Sequence, residues 1–178
     1  MVPAPPHPAL PRLTLVLGGA RSGKSRHAEG LITAHAPPWI YVATAQAFDE
    51  EMTERIAQHK AIRAEGWQTL ETTRDLAGVV RTHADSTTPM LIDCLTLWLS
   101  NVMLADMDVP AACADLINTL STARGPIVAV SNEVGLGIVP DNTLARAFRD
   151  AQGRLNQEVA AVADRVILMA AGLPLTLK

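Results

Sequence analysis

The chain has 178 residues, with 15 lysines and arginines against 18 acids, a formal charge of -3, and only 3% aromatic residues. That length suits one domain that buries about two-thirds of the surface its unfolded chain exposes. The mildly acidic balance leaves no electrostatic footprint for nucleic acid or an anionic membrane surface, and so few rings make no base-stacking platform.

In chain order, "MVPAPPHPALPR" holds five prolines and no continuous apolar run. Residues 1–12 are therefore expected to be a disordered or polyproline lead-in and not a signal peptide, with a single domain over 13–178. "RLTLVLGG" is a short apolar run ending in glycines, and "KSRHAEGLITAHA" follows with helical spacing, which predicts strand, loop and helix in that order. "WIYVAT" predicts a second buried strand. "DEEMTERIAQHKAIRAEG" predicts a helix with acids in its first turn, cations near its end and Gly66 as its stop. "WQTLE" is a candidate short strand and "DLAGVVRTHA" a candidate helix.

Farther on, "PMLIDCLTLWLSNVML" predicts a strand through Ile92 and then a helix, and "PAACADLINTLSTA" a further helix. "GPIVAVSNEVG" is another buried strand that ends in a polar, glycine-bearing loop. A long helix is expected from about Asn142 to Val162, and "RVILMAAG" with "LPLTLK" is expected to close the chain as a strand pair turning across Gly172 and Pro174. Apolar strands alternating with helices predict an α/β fold, a mostly parallel sheet with helices on both faces. No apolar run approaches the ~18 residues of a membrane span. Cys94 and Cys113 lie in no metal-binding or redox spacing and read as small buried hydrophobes in a reducing compartment, so the expected location is the cytoplasm.

The sharpest local signal is "GGARSGKS", which sets Gly18, Gly23, Lys24 and Ser25 in the pattern G-x-x-x-x-G-K-[ST], with Gly19, Ala20, Arg21 and Ser22 between them. Glycines let backbone N–H groups curl around phosphate oxygens, and the following helix N-terminus adds positive potential. Lys24 is expected to reach the β- and γ-phosphates and the Ser25 hydroxyl to ligate Mg²⁺ brought by ATP or GTP. The pattern also follows a predicted strand and opens a predicted helix, so the expected fold is of the phosphate-loop nucleoside triphosphatase type. Asp93 ends the apolar run "MLID", where it would hold Mg²⁺ through water or take a proton from an acceptor hydroxyl. Asn132 and Glu133 end a third strand, at the carboxyl edge where ligands gather in open α/β sheets; turn and cap roles fit them almost as well.

In "ERIAQHKAIR", helical spacing puts Met52, Ile56 and His59 on one face, with Arg63 next on that line. Two readings stand. His59 packs at the core edge while Arg63 snorkels out, or His59 faces a nucleotide as nucleophile or phosphate ligand, with Lys60 and Arg63 screening the phosphate charge.

Four separated segments, "GGARSGKSRHAE", "YVATAQAFDEEMTERIAQHK", "LIDCLTLWLSN" and "VSNEVGLGIVPDNTLARAFRDAQGRLNQ", resemble the bifunctional adenosylcobinamide kinase / adenosylcobinamide-phosphate guanylyltransferase family of cobalamin biosynthesis. The resemblance runs from about Leu13 to the C-terminus. It implies phosphorylation of adenosylcobinamide with ATP or GTP, then transfer of GMP from GTP to adenosylcobinamide phosphate through a guanylyl-histidine. The family's histidine falls on His59; some relatives carry two consecutive histidines there, whereas this chain has Gln58 before it. The resemblance also implies nucleotide contacts from Val42, Ala43, Thr44, Lys60, Ala61, Ile62, Arg63, Glu71 and Asp93, a corrinoid partner and a homotrimer. Arg146, Arg149 and Arg154 match family positions and read either as corrinoid or nucleotide contacts or as a solvated basic face. Kinase chemistry acts at the γ-phosphorus and guanylylation at the α-phosphorus, which implies movement of the His59 helix or two registers of the triphosphate. The alternatives are a monofunctional small-molecule kinase, with His59 structural, and a nucleotide-dependent switch read by a partner protein.

Overall fold

A computed structural model of the chain describes residues 9–46 and 65–178. Strand β1 (Leu13–Gly18) leads into helix α1 (Lys24–Thr33), followed by β2 (Trp39–Ala43), β3 (Trp67–Glu71), α2 (Leu76–Thr82) and β4 (Met90–Asp93). Helices α3 (Leu95–Leu104) and α4 (Val109–Thr122) precede β5 (Ile127–Asn132). Helix α5 (Thr143–Val162) and the strands β6 (Arg165–Ala170) and β7 (Leu173–Thr176) complete the described elements. The expected helix around His59 falls on residues outside those described; Gly66, its expected stop, has φ 110° in the turn before β3.

The seven described strands form one sheet in the order β3-β2-β4-β5-β1-β6-β7. All neighbours are parallel except β6 and β7. The central strands are apolar on both faces because both faces are covered. Leu13, Leu15, Ile40, Val42, Ile92, Ala129 and Val166 point into a core closed by α2, α3, α4 and α5. Their neighbours in sequence, including Val16, Tyr41, Leu91, Val128 and Ile167, point the other way and pack with Ala28 and Ile32 of α1. Fully buried side chains such as Leu95, Leu99, Leu116 and Leu155 each contribute about 1.5–3 kcal/mol to this packing.

Helix starts follow local chemistry. Asp75, Asp108 and Asn142 are N-caps whose side chains accept from the backbone N–H three residues on. The last places the start of α5 where the sequence predicts it. The closing hairpin differs from expectation. Ala171 and Gly172 form its turn, with φ 51° and 80°, a pair of positive angles that matches the twist of a two-residue hairpin. Pro174 lies instead inside edge strand β7, opposite Met169, where a missing N–H is tolerated.

Part of the Pro-rich stretch belongs to the packed body. Leu10 packs against the α1-side core. The Arg12 guanidinium donates to the carbonyls of Leu120 and Val162, both at 2.7 Å, and lies 3.5 Å from Asp164. It thereby satisfies carbonyls at the C-terminal ends of α4 and α5 that have no partner within their helices.

Candidate phosphate-binding site

The carboxyl ends of β1, β5, β4, β2 and β3 lie side by side, and the register sets their order. Gly18 pairs with Asn132, while Glu71, Ala43, Asp93 and Val130 form a row across β3, β2, β4 and β5. Strand β5 therefore separates the glycine-rich loop from Asp93, and its last residue, Asn132, stands between them.

The loop from Gly18 to Ser25 curls as the spacing predicts. Arg21 and Gly23 take left-handed backbone angles, φ 56° and 91°, so that consecutive N–H groups turn to a common side and form an anion-binding concavity. Helix α1 begins at Lys24, directly under that concavity. Lys24 Nζ donates to the Gly19 carbonyl at 3.1 Å, which holds the ammonium over the loop. Gly18 has no space for a side chain: a Cβ there would collide with Ser22 Oγ and stand 2.8 Å from the Met169 carbonyl. The loop is braced at two points, by Gly172 N–H donating to the Ser22 carbonyl at 3.0 Å and by Glu133 N–H donating to the Gly18 carbonyl at 3.1 Å.

Asp93 is half-buried at the end of β4, and Tyr41 Oη donates to its Oδ2 at 2.8 Å. Thr44 stitches the ends of β2 and β4 together. Its hydroxyl donates to the Cys94 carbonyl at 2.7 Å and accepts from Cys94 N–H at 2.8 Å, and its own N–H donates to the Asp93 carbonyl. Asn101 Nδ2 donates to the carbonyls of Thr44 and Thr73, so α3 anchors both loops on this side.

A second polar cluster underlies Asn132. Ser131 Oγ donates to Asn156 Oδ1 at 2.7 Å, Gln152 Nε2 donates to both of those oxygens at 2.9 Å, and Asn156 Nδ2 donates to the Asn132 carbonyl at 3.0 Å. Thr96 Oγ1 accepts from Asn132 N–H. The Asn132 Oδ1 atom is buried with no hydrogen-bond partner in the structure.

Of the predicted site residues, Gly18 to Ser25, Asp93, Asn132 and Glu133 come together at one edge. Ala43 and Glu71 share the row with Asp93. Val42 is fully buried in the core beneath the site, and the Thr44 hydrogen is spent inside the protein. Among the arginines, Arg146 donates to the carbonyls of Pro140 and Asp141, Arg149 pairs with Asp150 at 2.9 Å, and Arg154 is exposed. His59, Lys60, Ala61, Ile62 and Arg63 lie outside the described residues. The sequence reading did not single out Tyr41, Thr96, Asn101, Gln152 or Asn156. The signal was present for three of them: one amide in the apolar run of α3, and two amides at i, i+4 on α5.

Burial pushes the Cys94 thiol up to about 11, the neighbouring Asp93 charge adding to the effect. Burial also lowers the His27 imidazole, with the Arg165 charge acting in the same direction. The oxygen donors of Ser25 and Asp93 suit a hard cation such as Mg²⁺ that takes its remaining ligands from phosphates and water. Among the described residues no cluster of three or more His, Cys, Asp or Glu forms an all-protein metal cage.

Loop and strand order together define a nucleotide-binding protein of the phosphate-loop class. Two solved structures share this fold at low sequence identity. One is an ATPase of a bacterial type III secretion system, with TM-score 0.59 and 16% identity, covering 94% of this chain and 57% of that one. The other is the RadB recombinase, with TM-score 0.52 and 14% identity, covering 89% and 74%.

Residues 14–177 match the family model described as "Cobinamide kinase / cobinamide phosphate guanyltransferase", and the chain belongs to that family. It is 46% identical to the bifunctional adenosylcobalamin biosynthesis protein CobP of Pseudomonas aeruginosa, covering 92% of this chain and 96% of that protein. It is 43% identical to the corresponding CobU of Salmonella typhimurium, covering 93% and 99%. No described helix is long and apolar enough to cross a membrane.

Proposed function

We propose that this chain phosphorylates the aminopropanol hydroxyl of adenosylcobinamide with ATP or GTP, then transfers GMP from GTP to the resulting phosphate, giving adenosylcobinamide-GDP. The observation that carries this reading is the braced phosphate loop lying beside Asn132 and one strand away from Asp93, in a chain of the cobinamide kinase family.

In the first reaction the acceptor oxygen attacks the γ-phosphorus, the bond to the β–γ bridging oxygen breaks, and the nucleoside diphosphate leaves. Asp93 would receive the hydroxyl proton or help to hold Mg²⁺ through water. The loop N–H groups and Lys24 stabilise charge that develops on the phosphoryl oxygens. Ser25 and Asp93 would hold Mg²⁺, which supplies further neutralisation of phosphate charge when bound.

In the second reaction a His59 ring nitrogen attacks the α-phosphorus of GTP and pyrophosphate leaves. The phosphate of adenosylcobinamide phosphate then attacks the histidine-bound phosphorus, and the P–N bond breaks to release His59. Splitting the transfer this way replaces one difficult displacement by two easier ones. Lys60 and Arg63 would screen the phosphate charge. Assembly as a homotrimer, which the resemblance implies, and a cytoplasmic location, which the two unpaired buried cysteines suggest, complete this reading; sedimentation of the purified chain checks the first.

The test uses α-labelled GTP with Mg²⁺. Covalent label that is acid-labile and base-stable, absent from His59→Ala, is expected alongside phosphorylation of cobinamide. If the chain phosphorylates cobinamide but takes up no label, the guanylyl-transfer half is wrong. Binding of GTP with neither labelling nor phosphorylation would point to a nucleotide switch.

A further inference from the structure

The loop joining β5 to α5 presents Val134, Leu136, Ile138 and Val139 to solvent, and Leu144 in the first turn of α5 adds to them; Leu136 is 88% and Ile138 97% exposed. Single exposed apolar residues are ordinary, but four in the connection and a fifth in the first turn of α5, all within eleven positions, form a patch that asks for an occupant. A nucleotide is a poor one. From Val134 to Pro140 the loop carries no ionisable side chain, whereas phosphates and ribose need cations, N–H groups or hydroxyls.

The patch is tied to the phosphate site at its start and held at its end. Glu133 N–H donates to the Gly18 carbonyl of the phosphate loop at 3.1 Å. At the far end Arg146 grips the carbonyls of Pro140 and Asp141, and Asn142 caps α5 by accepting from Ala145 N–H at 2.7 Å. The five Cα–Cα steps from Glu133 to Ile138 span at most about 17 Å. The patch therefore sits within a short arm's reach of the phosphate loop, on feet that are already ordered.

We propose that this patch is the docking surface for the corrin ring of the acceptor, a proposal that rests on the cobinamide kinase reading above. The chemistry fits on two counts. A corrin offers broad, methyl-bearing apolar faces rimmed by amides, so it gains from aliphatic contact without any charged partner. Its reactive hydroxyl sits on a side arm, so the ring must rest beside the phosphate site and not in it. Glu133 and Asp141 flank the patch as half-buried and exposed acids, and one Glu133 oxygen is taken by the Gly135 N–H.

The test compares the full chain with the double variant Leu136→Ser, Ile138→Ser, whose sites are too exposed for the change to unfold the protein. With cobinamide as acceptor, the variant is expected to raise KM for cobinamide about ten- to hundredfold, the loss expected when two apolar side chains stop being buried on binding. The KM for the nucleoside triphosphate should stay at the wild-type value, and sedimentation should give the wild-type mass. An unchanged KM for cobinamide overturns the proposal. A changed mass, with or without a changed KM, also overturns it and assigns the patch to a second copy of the chain. If the wild type phosphorylates no cobinamide at all, the underlying functional reading fails instead, and the two failures are told apart by that first measurement.

Discussion

Tyr41 Oη donates a 2.8 Å hydrogen bond to Asp93 Oδ2, joining the buried middle of β2 to the last residue of β4. Trp67 meets the Tyr41 ring edge-on at 5.6 Å between centroids, so the phenol itself is held in place. One carboxylate oxygen is thereby oriented before any ligand arrives. Tyr41→Phe should lower stability by about 1 kcal/mol and raise the Mg²⁺ concentration for half-maximal kinase activity several-fold, with high Mg²⁺ restoring the rate. An unaltered Mg²⁺ titration would remove Tyr41 from the site.

Gly18 and Gly19 are adjacent but answer to different constraints. A Cβ at Gly18 meets Ser22 Oγ and the Met169 carbonyl, whereas one at Gly19 meets nothing within 4 Å. Gly18→Ala should cost about 1–3 kcal/mol in urea unfolding and weaken triphosphate binding, because the strand end must shift to admit the methyl. Gly19→Ala should leave stability close to wild type. Equal costs at the two positions would contradict the close approach of β6.

The buried amides of α5 yield a rank order. Asn156→Leu removes the acceptor used by Ser131 and the donor to the Asn132 carbonyl, so about 2–3 kcal/mol of stability should be lost, with kinase activity falling as the end of β5 loosens. Gln152→Leu leaves both of those bonds in place and should cost less. Chemical denaturation of the two variants decides it; a larger loss at Gln152 would reverse the assignment.

Burial pushes both the Cys94 and Cys113 thiols up to about 11. At pH 8 each therefore holds roughly a hundredth of the thiolate of an exposed thiol. Because the thiolate fraction climbs about tenfold per pH unit below that value, native alkylation should be slow and steeply pH-dependent, and both cysteines should label quickly in denaturant. Fast labelling of the folded protein at pH 8 would mean that the core opens far more often than its packing implies.

What the sequence determined by itself was local. Apolar runs marked β1, β2, β4 and β5, since a strand buried on both faces reads the same whatever its neighbours. The glycine-lysine-serine spacing specified the phosphate loop, because its left-handed turns and helix start depend on residues within one short window. Tertiary structure decided everything that joins distant windows. Nothing near Ile127 says that β5 inserts between β1 and β4, yet that order puts Asn132 between the phosphate loop and Asp93. Nothing near Thr44 says that its hydroxyl closes on Cys94, 50 residues away, or that Arg12 reaches the ends of two helices more than 100 residues on. The hairpin turn moved to Ala171–Gly172 because the twist of paired strands, and not the nearby proline, selects the turn. Pattern and turn chemistry are encoded in a few adjacent residues, whereas strand order and hydrogen-bond partners are settled only when the whole chain packs.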